Sequence, residues 1–174
     1  MKTLGRCLLL ILLVELMTAA CERRSRSLRG RSSERESLVG AWRSDVLFKS
    51  GSFTEMKGLQ FLYVFNAGGT LTESSNYDAA PPVPPAYGLW RRIGRRQFEA
   101  RYEFYVTKAP GAFDDIAKGG GWLPAGRGVF SEAITLSEDG KSYSSKINYA
   151  AFDRGGKPSE GGGEADGQGV RLGF

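Results

Sequence analysis

The stretch Arg96–Lys108, RQFEARYEFYVTK, alternates between apolar and polar side chains over ten consecutive residues. Its apolar side chains fall on every second position, at Phe98, Ala100, Tyr102, Phe104 and Val106. Successive side chains of a β-strand point to opposite faces, whereas a helix repeats every 3.6 residues. The stretch therefore predicts a strand with one dry face and one solvated face, as antiparallel sheets have.

Seven further segments between Val39 and the C-terminus are predicted to be strands, and no convincing helix separates them. Their connections are mostly short, which is typical of an antiparallel meander. Eight strands are enough to close an up-and-down barrel, and closure removes exposed sheet edges. We therefore predict an all-β fold, an eight-stranded antiparallel up-and-down β-barrel, with a two-sheet sandwich as the alternative. The other strand candidates are AWRSDVLF, LQFLYVFN, TLTESSN, YGLWRRI, VFSEAITLSE, SYSSKINYAAFD and VRLGF.

Three longer stretches are predicted to be loops because prolines or glycines dominate them. The second of them carries Phe113 and Trp122 and is interpreted either as a lid over the barrel or as an insertion without that role. The third precedes a short final strand. The three loops are YDAAPPVPPAYG, APGAFDDIAKGGGWLPAGRG and RGGKPSEGGGEADGQG.

The N-terminal residues 1–20 have the pattern of an export signal. Lys2 and Arg6 precede an apolar run that is too short to cross a bilayer as a helix, and small residues lead up to Cys21. The segment MTAAC resembles a bacterial lipobox, which implies lipidation at Cys21 and anchoring to the membrane. Export followed by a cut after Ala20 is the alternative. The predicted location is the bacterial cell envelope or periplasm, anchored or secreted.

Residues 21–37 are predicted to be a disordered basic tether, and 38–174 to be the barrel domain. The chain has a formal net charge of +5, and the segment ERRSRSLRGRSSERES, residues 22–37, holds six arginines against three glutamates. The basic character therefore belongs largely to the segments before the domain. Since the tether has no interleaved aromatic residues and follows an export signal, a nucleic-acid partner is not expected.

The segment SLVGAWRSD places a Gly-x-Trp triplet, Gly40 to Trp42, at the start of the first predicted strand. Together with the eight-strand meander, this triplet resembles the lipocalins and the wider calycin group, including uncharacterised bacterial lipocalin-like proteins. The resemblance implies that Trp42 packs at the closed end of the barrel. It also implies that Arg171, on the last strand, lies across the indole ring and seals the barrel.

The residues that are missing exclude several kinds of chemistry. The chain has no histidine, so a Ser-His-Asp or Cys-His site of the usual kind and the commonest zinc or haem ligand are excluded. After cleavage of a signal only Cys21 would remain, so no internal disulfide can form. No metal and no cofactor are expected.

The inward-facing aromatic residues are the candidate ligand-binding residues, and a small hydrophobic molecule is the candidate partner. Glu132 shares its strand parity with apolar residues, so it is either a ligand contact or general acid, or it is turned outward or paired with an arginine. Three functions remain open: a binding barrel, an isomerase or cyclase similar to allene oxide cyclase with Glu132 as the acid, and an envelope protein with a filled barrel. The candidate binding residues are Phe48, Phe61, Tyr63, Phe65, Phe98, Tyr102, Phe104 and Tyr149.

Overall fold

A computed structural model describes residues 36–77, 83–112, 114 and 122–173. The predicted signal peptide, the lipidation site Cys21 and nearly all of the predicted tether lie outside these residues. The segment Leu38–Phe174 forms one compact unit. Its eight strands are β1 Gly40–Phe48, β2 Gln60–Phe65, β3 Thr70–Ser75, β4 Ala86–Gly94, β5 Gln97–Lys108, β6 Leu123–Leu136, β7 Ser142–Asp153 and β8 Pro158–Arg171.

The eight strands form one closed antiparallel barrel in sequence order, with β8 paired to β1. The predicted fold class is therefore confirmed. Closure is possible because every connection joins neighbouring strands, so each strand has a partner on both sides and no edge remains unpaired. Within the described residues, no helix is long and apolar enough to cross a membrane.

The alternation of side chains along each strand determines which of them point into the barrel. On β1 the buried positions alternate strictly with exposed ones from Trp42 to Phe48, and β5 and β7 show the same rhythm over their first halves. Each inward side chain packs against those of the facing strands, which builds a continuous aromatic core. The hydrophobic burial of this core is the main favourable term in folding.

Two of the strands are longer than the sequence indicates. The loop predicted before β6 runs to Gly128, whereas the strand already begins at Leu123. The glycine-rich stretch predicted to be a loop is largely strand β8, which starts at Pro158. Glycines usually interrupt a strand, but Gly167 and Gly169 face the interior of this one. A Cβ at Gly167 would lie 2.3 Å from Ser145, and a Cβ at Gly169 would lie 2.2 Å from Tyr143.

The closed end of the barrel is built around Trp42, which has no exposed surface. The indole Nε1 donates a hydrogen bond of 2.8 Å to the carbonyl of Leu38. Trp42 pairs with Arg171 across the β1–β8 seam, and the guanidinium carbon lies 4.2 Å from the ring centroid. Arg171 also donates to the carbonyls of Val39 at 2.6 Å and Gly140 at 2.9 Å. This side chain therefore joins β1, β8 and the β6–β7 turn.

We expect Arg171→Ala to lower the free energy of unfolding by about 2–3 kcal/mol, since it removes a cation–π contact and two charge-assisted hydrogen bonds. Urea unfolding followed by tryptophan fluorescence measures the change. Arg101→Ala is the matched control, because that side chain is 65% exposed with a single ion pair at 3.9 Å and should change stability by less than ~0.5 kcal/mol. Equal effects of the two substitutions would contradict a sealing role for Arg171.

Candidate functional site

A cavity of about 290 Å³ opens at the end of the barrel opposite Trp42. It lies where β1 leads through Phe53 and Met56 into β2, and we call it the end cavity. Its walls combine many aromatic rings with a few polar side chains, among them Glu73 and Ser75 from β3 and Thr107 from β5. The principal aromatic residues of the wall are Phe48, Phe53, Phe61, Phe104, Phe130 and Tyr149.

Phe130 is at the centre of this aromatic wall. Its ring centroid lies 4.9 Å from that of Tyr149, 5.5 Å from that of Phe61 and 5.7 Å from that of Phe104. Gly128 makes this arrangement possible, because a Cβ there would lie 2.3 Å from the Phe104 ring and 2.8 Å from the Tyr149 ring. The rings therefore pack against one another and form a continuous wall of the cavity.

The eight residues suggested by the sequence divide into two groups. Phe48, Phe61, Phe104 and Tyr149 line the end cavity. The other four are buried in the barrel core and are not among the described residues that line it: Tyr63, Phe65, Phe98 and Tyr102. Side chains therefore fill the deeper part of the barrel, while a cavity remains at its open end. The packed interior and the hollow interior each describe one part of the barrel.

Glu132 points into the barrel, as its parity indicates, and is only 3% exposed. It pairs with Ala100 in regular register, so no bulge turns it outward. Its Oε2 accepts hydrogen bonds of 3.1 Å from both Tyr63 and Tyr102, whose hydroxyls also lie 2.8 Å apart. Glu132 is not among the described residues lining the end cavity.

These three oxygens form a triangle with three short edges but only two hydroxyl protons. Each hydroxyl has a single proton to donate, so two tyrosines can fill two of the edges. If Glu132 is protonated, its Oε2 accepts from one tyrosine and donates to the other, which leaves one tyrosine proton for the hydroxyl–hydroxyl edge and completes a closed ring of hydrogen bonds. Burial raises the pKa of Glu132, and hydrogen bonding by Ser145, Tyr102 and Tyr63 opposes the shift. The geometry and the direction of the pKa shift both favour the neutral acid, so Glu132 ionises at a higher pH than a free glutamate and acts on Glu73 through its charge only once it is ionised.

Glu73 is the functional candidate that the sequence did not reveal. It lies on β3, paired with Tyr63 and Ala86, and is 4% exposed. Its Oε1 has no hydrogen-bond partner among the residues that the structure describes. Burial, together with the charge of Glu132, raises the pKa of Glu73 from 4.5 to about 8. Glu73 lies two residues after Leu71, so the two side chains point to the same face of the strand. The serines and threonines around them do not distinguish the inner face from the outer one in the sequence.

Further polar groups in the interior also lack partners. Ser44 Oγ, Ser145 Oγ, Tyr143 OH and Glu132 Oε1 are buried without a hydrogen bond. Ser145 lowers the pKa of Glu132 as a nearby donor, although its hydroxyl lies outside hydrogen-bond geometry with the carboxyl. In residues 36–77, 83–112, 114 and 122–173, no group of three or more acidic, Cys or His side chains could hold a metal ion.

Comparison with known proteins adds no family to this picture. The chain matches no protein-family model, and no curated protein matches it. The eight-stranded closed barrel is thus the part of the lipocalin resemblance that the structure supports. Any function must be argued from the end cavity and the groups around it.

Proposed function

We propose that this barrel binds a small apolar or amphipathic molecule in the end cavity. The observation that carries the proposal is an aromatic-walled space of about 290 Å³ at the open end of the barrel. Pockets for drug-sized ligands measure roughly 300–1,000 Å³ and combine apolar walls with a few polar groups. The end cavity has this composition at the lower limit of size, so a compact ligand fits it better than a long lipid chain.

The ligand would gain its binding energy mainly from contact with the aromatic walls. Burying about 250 Å² of apolar ligand surface is worth ~6 kcal/mol at 25 cal/mol per Å², before the cost of association is subtracted. The expected affinity is therefore micromolar or weaker. Orientation would come from the polar side, where Glu73 and Ser75 reach the cavity.

The geometry favours binding over the isomerase or cyclase alternative. That alternative needs Glu132 beside the ligand, but its Oε2 is already engaged by Tyr63 and Tyr102. The filled-barrel alternative accounts for the deeper core and leaves the end cavity unexplained. Export and anchoring through Cys21 rest on residues outside the described part and remain predictions.

Phe104→Arg should abolish uptake of an apolar probe, because Phe104 lines the end cavity and a guanidinium there would fill it with a charge. N-phenyl-1-naphthylamine, whose fluorescence rises in apolar surroundings, measures the uptake, and we expect the affinity to fall at least ten-fold. Leu62→Arg is the control on the outer surface, where Leu62 is 49% exposed. It should leave uptake unchanged.

Circular dichroism separates a lost cavity from a lost fold. Phe104 is only partly buried, so the variant should keep the spectrum of the parent barrel. If the parent protein takes up no probe, or if both variants bind it as the parent does, the end cavity is not a binding site.

A further inference from the structure

Glu73 faces the end cavity without a positive charge to balance it. Among the described residues that line this cavity, Glu73 is the only carboxylic acid and none is lysine or arginine. The buried polar and charged residues of the described core are Ser44, Glu73, Glu132 and Ser145, again without a base. A buried carboxylate is costly unless it is paired, so a positively charged partner would stabilise the ionised form of Glu73.

The other titratable groups that act on Glu73 do not supply such a partner. Glu132 on β6 raises its pKa through charge repulsion. Tyr102 on β5, Tyr63 on β2 and Tyr143 on β7 are coupled to Glu73 in the same sense, since its charge raises their pKa values. Each of these groups is neutral or negative, so none can neutralise a carboxylate at this position.

The surroundings of Glu73 offer a cation more than one carboxylate oxygen. Aromatic rings attract cations through the negative potential of their faces, and the end cavity is walled by such rings. Glu73 Oε1 is buried with no hydrogen-bond partner, so an N–H donor from a ligand would satisfy it. An aromatic cavity with a single unpaired acid is complementary to an amine attached to an apolar body.

We propose that the ligand of the end cavity is a small amphipathic amine, whose ammonium group forms an ion pair with the Glu73 carboxylate while its apolar part contacts the aromatic walls. This inference rests on the proposed function and narrows it to one chemical class. The ligand's nitrogen donates to the Glu73 carboxylate, and its apolar part occupies the cavity beside Phe104 and Phe130.

Binding of an ammonium ion must then release a proton. Burial and the charge of Glu132 raise the pKa of Glu73 to about 8, so at pH 7 the empty site is mostly in its protonated form. The ammonium group pairs with the ionised form, and the proton of the carboxyl passes to solvent. Affinity for an amine therefore rises with pH as Glu73 ionises, until the amine loses its own proton at higher pH.

A matched pair of probes tests this on the full chain: 2-(1-naphthyl)ethylamine and 2-(1-naphthyl)ethanol, which have the same size and differ in charge. Isothermal titration calorimetry should show the amine binding at least ten-fold more tightly than the alcohol at pH 8. Between pH 6 and pH 8 the affinity for the amine should rise more than ten-fold, while that for the alcohol does not rise. Titrations at pH 7 in two buffers of different ionisation enthalpy should show release of nearly one proton.

Glu73→Gln should remove both the preference for the amine and its pH dependence, and should leave binding of the alcohol in place. Glu138→Gln, at a side chain that is 92% exposed, is the control and should change neither. If Glu73→Gln does not fold, the proton release of the parent protein decides the question by itself.

The outcomes separate this inference from the proposed function. If both probes bind equally and without proton release, the end cavity is a binding site but the amine inference is wrong. Stronger binding of the alcohol, weakening as pH rises above 8, would mean that Glu73 acts as a neutral hydrogen-bond donor, which also overturns it. If neither probe binds, the proposed function and the inference both fail.

Discussion

The free energy of unfolding should fall by about 3 kcal/mol between pH 5 and pH 8. Over this pH range the carboxyl of Glu73 is protonated in the folded barrel and ionised in the unfolded chain. Burial and the charge of Glu132 raise the pKa of Glu73 from 4.5 to about 8. Between these two values the folded state binds one more proton than the unfolded state. Stability then decreases with rising pH, by at most ~1.4 kcal/mol per pH unit.

The sign of this slope is the informative part. The raised pKa makes its full contribution to stability below pH 4.5, and that contribution is lost progressively until Glu73 ionises in the folded state near pH 8. Glu132, whose pKa is also raised by burial, acts in the same direction. The chain has no histidine, so no imidazole titrates across this range to obscure the slope.

Urea unfolding at pH 5, 6, 7 and 8 and constant ionic strength measures the slope. Glu73→Gln should flatten it by most of the 3 kcal/mol, whatever the variant does to stability at pH 5, because an amide does not titrate. Glu138→Gln should leave the slope as it is in the parent protein. A stability that stays level or increases from pH 5 to pH 8 would show that the buried carboxyls are ionised in the folded barrel.

Gly169→Ala should destabilise the barrel by about 3 kcal/mol, the upper end of what overpacking a core usually costs. A Cβ at Gly169 would lie 2.2 Å from one atom of the Tyr143 ring and 2.3 Å from another. That ring is confined by Trp42, whose centroid is 5.1 Å away, and Trp42 is in turn covered by Arg171. Because Tyr143 is only 2% exposed and packs against Trp42, relieving the clash requires a shift of the ring or of the strands.

The direction of this effect distinguishes packing from intrinsic preference. In a strand without such a contact, replacing glycine by alanine gains about 0.5–1 kcal/mol, because glycine loses more backbone freedom on folding. Thermal and urea unfolding measure the change, with Gly68→Ala in the turn between β2 and β3 as the control for adding a Cβ without a clash, since a Cβ there meets no described atom within 4 Å. Gly169→Ala combined with Tyr143→Ala should cost at least 1 kcal/mol less than the sum of the two single changes. Strict additivity would show that the clash is not the cause.

The fold could be predicted from the sequence wherever apolar and polar residues alternate along a strand. The alternation in β5 between Phe98 and Phe104 marks an inner and an outer face whatever the strand pairs with. The turn NAGGT between β2 and β3 is equally local: Gly69 has a φ of +82°, which glycine adopts without strain. Of strand β8 only the end at Val170 and Arg171 could be predicted in this way. The glycines before it weaken most strands, but here Gly167 and Gly169 face Ser145 and Tyr143 on the neighbouring strand β7.

The candidate site was only partly foreseeable, for a related reason. The inward aromatic residues follow from parity, but which of them fill the core and which border a cavity depends on their height in the closed barrel. Phe61 lines the cavity while Tyr63, two residues further along the same strand, is engaged by Tyr102 and Glu132. Glu73 gave only a weak signal, its position two residues after Leu71, because its strand is too rich in serine and threonine for an inner face to stand out.

The sequence by itself determined that this chain alternates faces along its strands, that no histidine chemistry is available to it, and that Trp42 and Arg171 stand near the first and last strands. Only the folded barrel reveals that an acid is buried beside a cavity whose described lining contains no base. The difference lies in distance along the chain, because backbone alternation and turn preference depend on residues only a few positions apart. Burial, charge balance and empty volume depend on which strands face one another once the barrel has closed.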